Sequence, residues 1–341
     1  MRRIKIATLF VVMLLGLRPS FAQQQDTGLK KASRDSISEP KKAMVYVIDK
    51  FAMARPLNME FYSTAAHNFN IKKGDVEGPE LKMNTYYQAK ANMNIHWVKR
   101  KNWLLSTTHN YSYTHMEVEG SEATADRPAA LDKDFQYLSS SLNFSYFSSA
   151  FKKRMIYNAS VVVDGSEQHL ERVKGLASAV MVLKGTLQTK MAIGVMVNID
   201  PSTQIPVIPV FTYEHKFNSG FIVDLTLPKS AYLRKHVFSH TGRISMGSEL
   251  NVNSFYLYNA DATAQKYEYR QIDINSGLMY EHALGHFVFT GKAGVRSLVR
   301  GRAFKKEDSF DKPVAEVNAD TPFYFNVGVS FNPFTMLKRS K

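Results

Sequence analysis

The chain has 341 residues, 44% of them hydrophobic, and carries 44 Lys and Arg against 30 Asp and Glu, a formal charge of +14. It contains no cysteine, which excludes disulfides, thiolate metal centres and lipoprotein acylation. No window after Ala22 approaches the ~20 apolar residues that a spanning helix needs, so a bundle of membrane helices is excluded too.

The first segment reads as an export signal. Met1-Arg2-Arg3-Ile4-Lys5 is a basic start, Ile6 to Leu17 an apolar stretch, and Ser20-Phe21-Ala22 puts small residues at the two cleavage-specifying positions. The apolar stretch is too short for a membrane anchor. Cleavage after Ala22 removes Arg2, Arg3, Lys5 and Arg18 and takes the formal charge from +14 to +10. Export argues against nucleic acid as a partner, and the basic excess matches anionic headgroups, lipopolysaccharide among them, or equally a well-solvated rim.

Residues 23 to about 43 are polar and aperiodic, a leader. Ala43 to Arg55 is more apolar and admits three readings: a short strand, a plug segment, or a periplasmic extension. Residues 23–55 are therefore expected to form a polar periplasmic leader or a short plug.

From Pro56 the chain alternates strand and turn. The expected strands are 57–65, 80–97, 103–116, 135–149, 153–164, 173–184, 187–199, 206–217, 220–227, 230–238, 242–258, 267–282, 286–303 and 321–332. In 81–97, Leu81, Met83, Thr85, Tyr87, Ala89, Ala91, Met93, Ile95 and Trp97 share one face against Lys82, Asn84, Tyr86, Gln88, Lys90, Asn92, Asn94 and His96. That alternation outlasts the five or six residues of an average soluble strand and suits a tilted membrane strand. The same period runs through Leu187–Ile199, breaks at Asp200-Pro201-Ser202-Thr203, and returns on both sides of Asn218-Ser219-Gly220. Every even-numbered connection is short, and the longest (66–79, 117–134, 304–320) are odd-numbered. Tight periplasmic turns and longer outer loops have that parity in an up-and-down barrel with both termini inside.

The last strand places Phe323, Phe325, Val327, Val329 and Phe331 on one face, and residues 335–341 follow as a basic tail. The fold expected for 56–334 is all-β, an antiparallel up-and-down transmembrane β-barrel of about 14 strands, with 12 as the alternative. In lipid only a closed barrel satisfies a β-chain's backbone. The 22 Phe, 17 Tyr and 2 Trp supply aromatic girdles. The expected location is the outer membrane, and the expected partners are its lipid and lipopolysaccharide, the barrel-assembly machinery and a small solute.

A function would sit on the lumen face. By alternation that face carries Lys82, Lys90, His96, Glu214, Lys216, Asp224, Arg243, Glu249, Asn251, Gln271, Asp273, Lys292, Arg296 and Arg300. Lys292, Arg296 and Arg300 are spaced four and four on one strand. Unpaired, they would draw anions into a channel; paired with Glu249 and Asp273 they would fill the interior. Small and mid-sized barrels need filling, which favours pairing.

Catalytic chemistry has little to stand on. Ser239-His240-Thr241-Gly242 faintly resembles the His-and-Ser segment of outer-membrane phospholipases, but Arg243 stands where the serine belongs. His109 and His115 align on one strand face with no third ligand in sequence. No cofactor is implied.

Ile205-Pro206-Val207-Ile208-Pro209-Val210, after Asp200-Pro201 and before a strand ending Leu227-Pro228-Lys229-Ser230-Ala231, resembles a Bacteroidetes outer-membrane barrel family known only as a domain of unknown function. The resemblance centres on residues 198–233 and implies fold and location, with no activity or site residues. Pro206 and Pro209 are expected at a bulge or a strand start at the rim. A broader likeness is to fourteen-stranded hydrocarbon transporters with an N-terminal plug, whose Asn-Pro-Ala motif is missing here. The functional expectation is a passive channel or facilitator for small solutes. The alternative is a closed structural or adhesion barrel acting through its outer loops, with a lipid-modifying enzyme or a hydrophobic-compound transporter behind it.

Overall fold

The computed structural model describes residues 39–120, 130–200, 202–203, 205–238, 241–258 and 265–334. The export signal, Ser239-His240 and the basic tail lie outside them.

A helix, α1 (Glu39–Lys50), and a 3-10 turn (Ala52–Ala54) precede the strands β1 (Leu57–Thr64), β2 (His67–Lys73), β3 (Val76–Lys99), β4 (Trp103–Gly120) and β5 (Ala130–Ala150). Next come β6 (Lys153–Gly165), β7 (Leu170–Gly185), β8 (Thr189–Ile199), β9 (Val207–Lys216), β10 (Phe221–Leu227) and β11 (Ser230–Val237). β12 (Gly242–Leu257), β13 (Tyr267–Leu284), β14 (Phe287–Lys305), β15 (Pro313–Ala319) and β16 (Phe323–Phe331) complete the sheet.

Neighbours pair antiparallel, and β1 closes the ring by pairing with β3 on one edge and β16 on the other. The closed wall has 14 strands and leaves β2 and β15 as extras. These two pair with each other and with β3 and β14, so they continue β1 and β16 upward across short breaks. Two of the expected outer loops are corrected by this: 66–79 and 304–320 carry β2 and β15, because the wall at β3 and β14 rises high enough to offer their backbones partners. Residues 121–129 of the third loop lie outside the described residues.

The wall is inside-out relative to a water-soluble sandwich. Met59, Phe61, Leu142, Phe144, Val161, Ile193, Leu233, Met246, Leu278, Phe289, Phe325 and Val327 are exposed, while Asn58, Gln88, Asn92, Asp224, Asp273 and Asn326 are buried. So continuous an apolar exterior is tolerated only against lipid. Inside, Tyr62, Phe69, Met83, Tyr86 and Tyr324 form a small core between the first and last strands.

Bulges decide which way two predicted residues point. β3 shifts register between Met83 and Thr85, and Met83 and Tyr86 both face the inner core. β14 shifts register against β13 between Ile272 and Asp273, so Arg300 is opposite the outward Ile272 while Leu298 is opposite the inward Asp273. Each extra residue inverts the alternation beyond it.

Pro209 is accommodated by the staggered top of the wall. Asn198 N–H donates to the Pro206 carbonyl at 2.7 Å, which puts Val195 and Pro209 at a non-bonded position of the β8–β9 ladder. Pro209 therefore lacks its N–H on the β10 side, where β10 ended at Leu227 opposite Phe211.

Candidate functional site: the lumen

At the end with the short turns, the lumen holds α1. Residues 43–55 are helix and 3-10 turn rather than strand, although Val45, Val47 and Ile48 favour β structure. With no free strand edge within reach, a helix satisfies its own backbone, and surroundings override propensity. Tyr46 Oη donates to Glu214 on β9 at 2.9 Å, and Lys50 pairs with Asp224 on β10 at 2.5 Å. Beyond the helix, Arg55 pairs with Glu281 on β13 at 2.9 Å and donates to Ser330 Oγ on β16 at 2.6 Å. Arg243 pairs with the same Glu281 and donates to the Asp49 carbonyl. Burial lowers the Lys50 ammonium from its usual range even beside Asp224, and burial followed by Glu214 raises the Tyr46 phenol.

At the opposite end the upper halves of β12 and β13 cross the mouth. β11 pairs with β12 only as far as Ser230 opposite Glu249, so beyond the Leu250 N–H donated to the Lys229 carbonyl the rest of β12 has no strand partner on that side among the described residues. Phe255 stacks on Phe135 of β5 at 4.2 Å and lies tilted against Tyr269 at 5.0 Å, and Tyr256 Oη donates to Asp164 of β6 at 2.8 Å. An ionic cluster fixes the arrangement. Glu268 pairs with Arg172 at 3.2 Å and with Arg270 at 2.6 Å, Arg172 with Asp200 at 3.1 Å, and Lys174 with Asp164 at 2.5 Å. Phe304 and Phe310, edge to face at 5.8 Å, back the Arg270 guanidinium.

Between the two ends lies a cavity of about 610 Å³. Phe51 to Met53 lie on it below, Asp200 and Arg270 above, and Glu60, Lys90, Lys229, Glu249 and Lys292 around it. Lys292 pairs with Glu249 at 2.6 Å, and Tyr232 Oη donates to the same carboxylate at 2.8 Å. Lys90 donates to Asn253 Oδ1 at 2.6 Å, and Glu60 accepts from Asn58 at 2.8 Å and Asn326 at 3.1 Å.

Of the residues expected to line a pore, Lys90, Glu214, Arg243, Glu249, Asp273, Lys292 and Arg296 face inward, and His96 lies on the face of β3 whose Asn94 donates to the Met53 carbonyl. Two do not. Lys82 is exposed on the outer face above the Met83–Thr85 bulge, and Arg300 is exposed on the outer face beyond the β14 irregularity. The expected row of three cations is thus two, and both have carboxylates: Lys292 with Glu249, and Arg296 with Asp273 at a looser 3.9 Å. Arg296 also lies over the Tyr86 ring at 5.0 Å.

Sequence reading passed over Lys50, Arg55, Glu60, Asp164, Arg172, Lys229, Glu268, Arg270 and Glu281. Several of their partners, such as Asp224 for Lys50, Glu281 for Arg55 and Glu268 for Arg172, are far away in the chain and meet only across the folded ring. It also missed one surface group. His115 comes 2.9 Å from Asp134 and 3.6 Å from Asp132, and the three offer ligand atoms within 4.8 Å of one another on the outer rim of β4 and β5. The two aspartates arrive through cross-strand register and have no sequence spacing to betray them. His109 faces Ser140 instead. Thr241 of the phospholipase-like segment lies in the short connection between β11 and β12, at the α1 end.

No protein-family model matches the chain, and no curated protein matches it. Solved structures it is similar to include the transport unit of the autotransporter AIDA-I from Escherichia coli, at 9% identity over 81% of this chain and 90% of that one, with a TM-score of 0.31. Another is the COG4313 outer membrane channel from Pseudomonas putida F1, at 8% identity over 81% and 95%, with a TM-score of 0.30. A third is the outer membrane protease OmpT from Escherichia coli, at 7% identity over 81% and 96%, with a TM-score of 0.24. At such scores they carry no argument about activity, and the barrel is read from its own strand pairing.

Proposed function

We propose that the protein is an outer-membrane barrel that binds and passes a small solute, and that it is shut when α1 occupies the lumen. The observation that supports this reading is the charged cavity of about 610 Å³ between α1 and the β12–β13 hairpin. A barrel serving only as a structural post gains nothing from an unfilled, polar centre, since close packing is the stable solution. The apolar exterior calls for a bilayer, and an export signal directs a β-barrel to the outer one. The resemblance of residues 198–233 to an uncharacterised outer-membrane barrel family agrees with that location.

Closure by α1 accounts for a lumen whose charges are mostly spent on one another. Lys50 and Arg55 are held by Asp224 and Glu281, and those pairs must part before the lower end opens. A ligand or a partner pulling on the leader is enough, because such pairs exchange readily for water once exposed.

The test is conductance in a planar bilayer. The wild-type barrel is expected to be silent or to flicker rarely, and the double variant Lys50→Gln, Arg55→Gln, made in a Glu268→Gln background that frees the β12–β13 hairpin, to show sustained openings. A heat-modifiable gel shift and β-type circular dichroism must first show that both are folded. Equal silence of a folded double variant would sink the gated-conduit reading and favour a closed barrel.

A further inference from the structure

The wall of this barrel is uneven. β3 has 24 residues, β5 21 and β14 19, whereas β10 has 7 and β11 has 8. At a rise of about 3.3 Å per residue and a tilt of about 35–45°, a strand the length of β11 climbs only ~20 Å, short of an apolar band ~25 Å tall. The turn at Pro228-Lys229 therefore ends the wall below the outer leaflet's headgroups.

The neighbours on each side continue past it. β9 is paired with β10 only up to Phe211 opposite Leu227, which leaves its first residues, from Val207, unpaired there. β12 loses β11 after Glu249, apart from a Leu250 N–H donated to the Lys229 carbonyl at 2.7 Å. The result is a notch between β9 and β12 with the β10–β11 turn as its sill. Free strand edges at this depth cannot face lipid alone, because unsatisfied backbone groups in hydrocarbon cost several kcal/mol each. Polar contents must reach them.

The cavity supplies those contents. It is lined by every residue of β12 from Glu249 to Ser254, hence by both faces of the strand, and so wraps round its free edge; Lys229 and Ser230 line it at the sill. The rim is greasy: Ile205, Val207, Leu227 and Val252 are all exposed. The interior is not. The Lys229 ammonium lies 4.9 Å from the Phe51 ring, and neither it nor Lys90 has a carboxylate within ion-pair distance among the described residues. With α1 below and the β12–β13 hairpin above, this notch lies at the side of the cavity.

We infer that the notch is a lateral opening to the outer leaflet, and that it admits a single-chain amphipathic anion, its carboxylate drawn to Lys229 and Lys90 and its alkyl chain lying across the apolar rim. An aliphatic carboxylate satisfies both halves of the site: it brings charge to two unpaired lysines and hydrocarbon to Leu227 and Val252. A sugar would leave the rim without a partner, and an inorganic anion would ignore it. The inference rests on the proposed reading only for the placement of the barrel in a bilayer.

Dodecanoate is the probe, with full-length protein in phosphatidylcholine nanodiscs. Equilibrium binding of labelled dodecanoate is expected to weaken at least tenfold in Lys229→Glu, and dodecanol and acetate are expected to bind at least tenfold more weakly than dodecanoate. A tryptophan placed by Val252→Trp should be quenched by lipids brominated on the acyl chain, and dodecanoate should relieve that quenching. Equal affinity of folded Lys229→Glu, binding of acetate as tight as dodecanoate, no binding by the folded wild type, or an unquenched Trp at 252 would each overturn the inference. These results are separate from the conductance test. Openings in the Lys50, Arg55 double variant with no dodecanoate binding would remove the lateral site and keep the conduit. Binding with silent variants would keep the site and remove the conduit.

Discussion

Lys50 and Asp224 meet at 2.5 Å inside the barrel, with only 4% and 3% of their side chains exposed. One belongs to a helix that precedes the barrel and the other to one of the shortest strands of its wall, so this contact ties the leader to the lumen. Asp224 also holds Arg234 at 3.1 Å, which makes it a shared anchor for two buried cations.

Asp224→Asn is therefore expected to loosen α1 more than Lys50→Gln does, since it strands two cations where the latter strands one carboxylate that keeps Arg234. Removing one member of a buried pair costs about 3–5 kcal/mol. Limited proteolysis checks this. Cleavage within residues 39–55 should accelerate in both variants and most in Asp224→Asn, while barrel strands stay protected. Equal rates in all three proteins would show that the pair does not hold the helix.

Glu281 accepts from Arg55 and Arg243 and is 6% exposed. Glu281→Gln leaves two buried guanidiniums with half a partner each. The unfolding temperature read from the heat-modifiable gel shift should fall by several degrees, and Glu281→Asp should recover little, because a shorter side chain cannot reach both forks.

The mouth has its own lock in Glu268, which is fully buried between Arg172 and Arg270. Glu268→Gln should free the β12–β13 hairpin and raise hydrogen exchange across residues 255–258 and 265–270, leaving β12 below Glu249 unchanged. A uniform rise over the whole strand would mean that the cluster stabilises the barrel rather than its closure.

Acid should open the same end. Burial acts to raise the Asp200 carboxyl, but the Ser202 N–H, Lys174 and Arg172 outweigh it and hold the group below the usual carboxylate range. A carboxylate depressed by folding stabilises above its unfolded value, about 4, and that contribution is lost as pH falls through the folded value. Exchange in 265–270 is expected to be flat between pH 5 and pH 7 and to rise, after correction for intrinsic rate, below about pH 4. Asp200→Asn should bring the pH 5 value close to the acid one.

A packing test lies on the opposite part of the wall. Gly277 of β13 and Gly294 of β14 face each other, and a Cβ at Gly294 would stand 2.0 Å from the Ser276 carbonyl oxygen and 2.7 Å from Gly277 Cα. Backbone must move to admit it, so Gly294→Val should cost about 1–3 kcal/mol in urea-driven unfolding from lipid vesicles. Gly291→Ala, where nothing lies within 4 Å, is the control and should be neutral.

The fold was legible because lipid imposes its pattern residue by residue. Alternation through Leu187–Ile199, the even-numbered short connections and the break at Pro228 each reflect local requirements: one face to hydrocarbon, tight turns at one end, and a proline that cannot continue a ladder. Lys82 and Arg300 show where such reading fails. A bulge adds one residue without changing composition, and every side chain beyond it changes face. The helical state of residues 43–55 was illegible for a related reason. Val45, Val47 and Ile48 suit a strand, and what decides against one is that the wall strands around α1, at the end with the short turns, are already paired on both sides, a property of the closed ring and not of this segment.

By itself, then, the sequence determined a membrane barrel of about 14 strands, with 12 as the alternative, and the end that carries the short turns, because period, turn chemistry and apolarity are written in neighbouring residues. The tertiary structure alone decided that Lys50 meets Asp224, that Arg172 and Arg270 converge on Glu268, and that β12 outruns β11 to leave a notch above Lys229. Those facts depend on strand stagger and on contacts across the ring. Both are set only when the first and last strands join, where residues hundreds of positions apart acquire fixed distances at once.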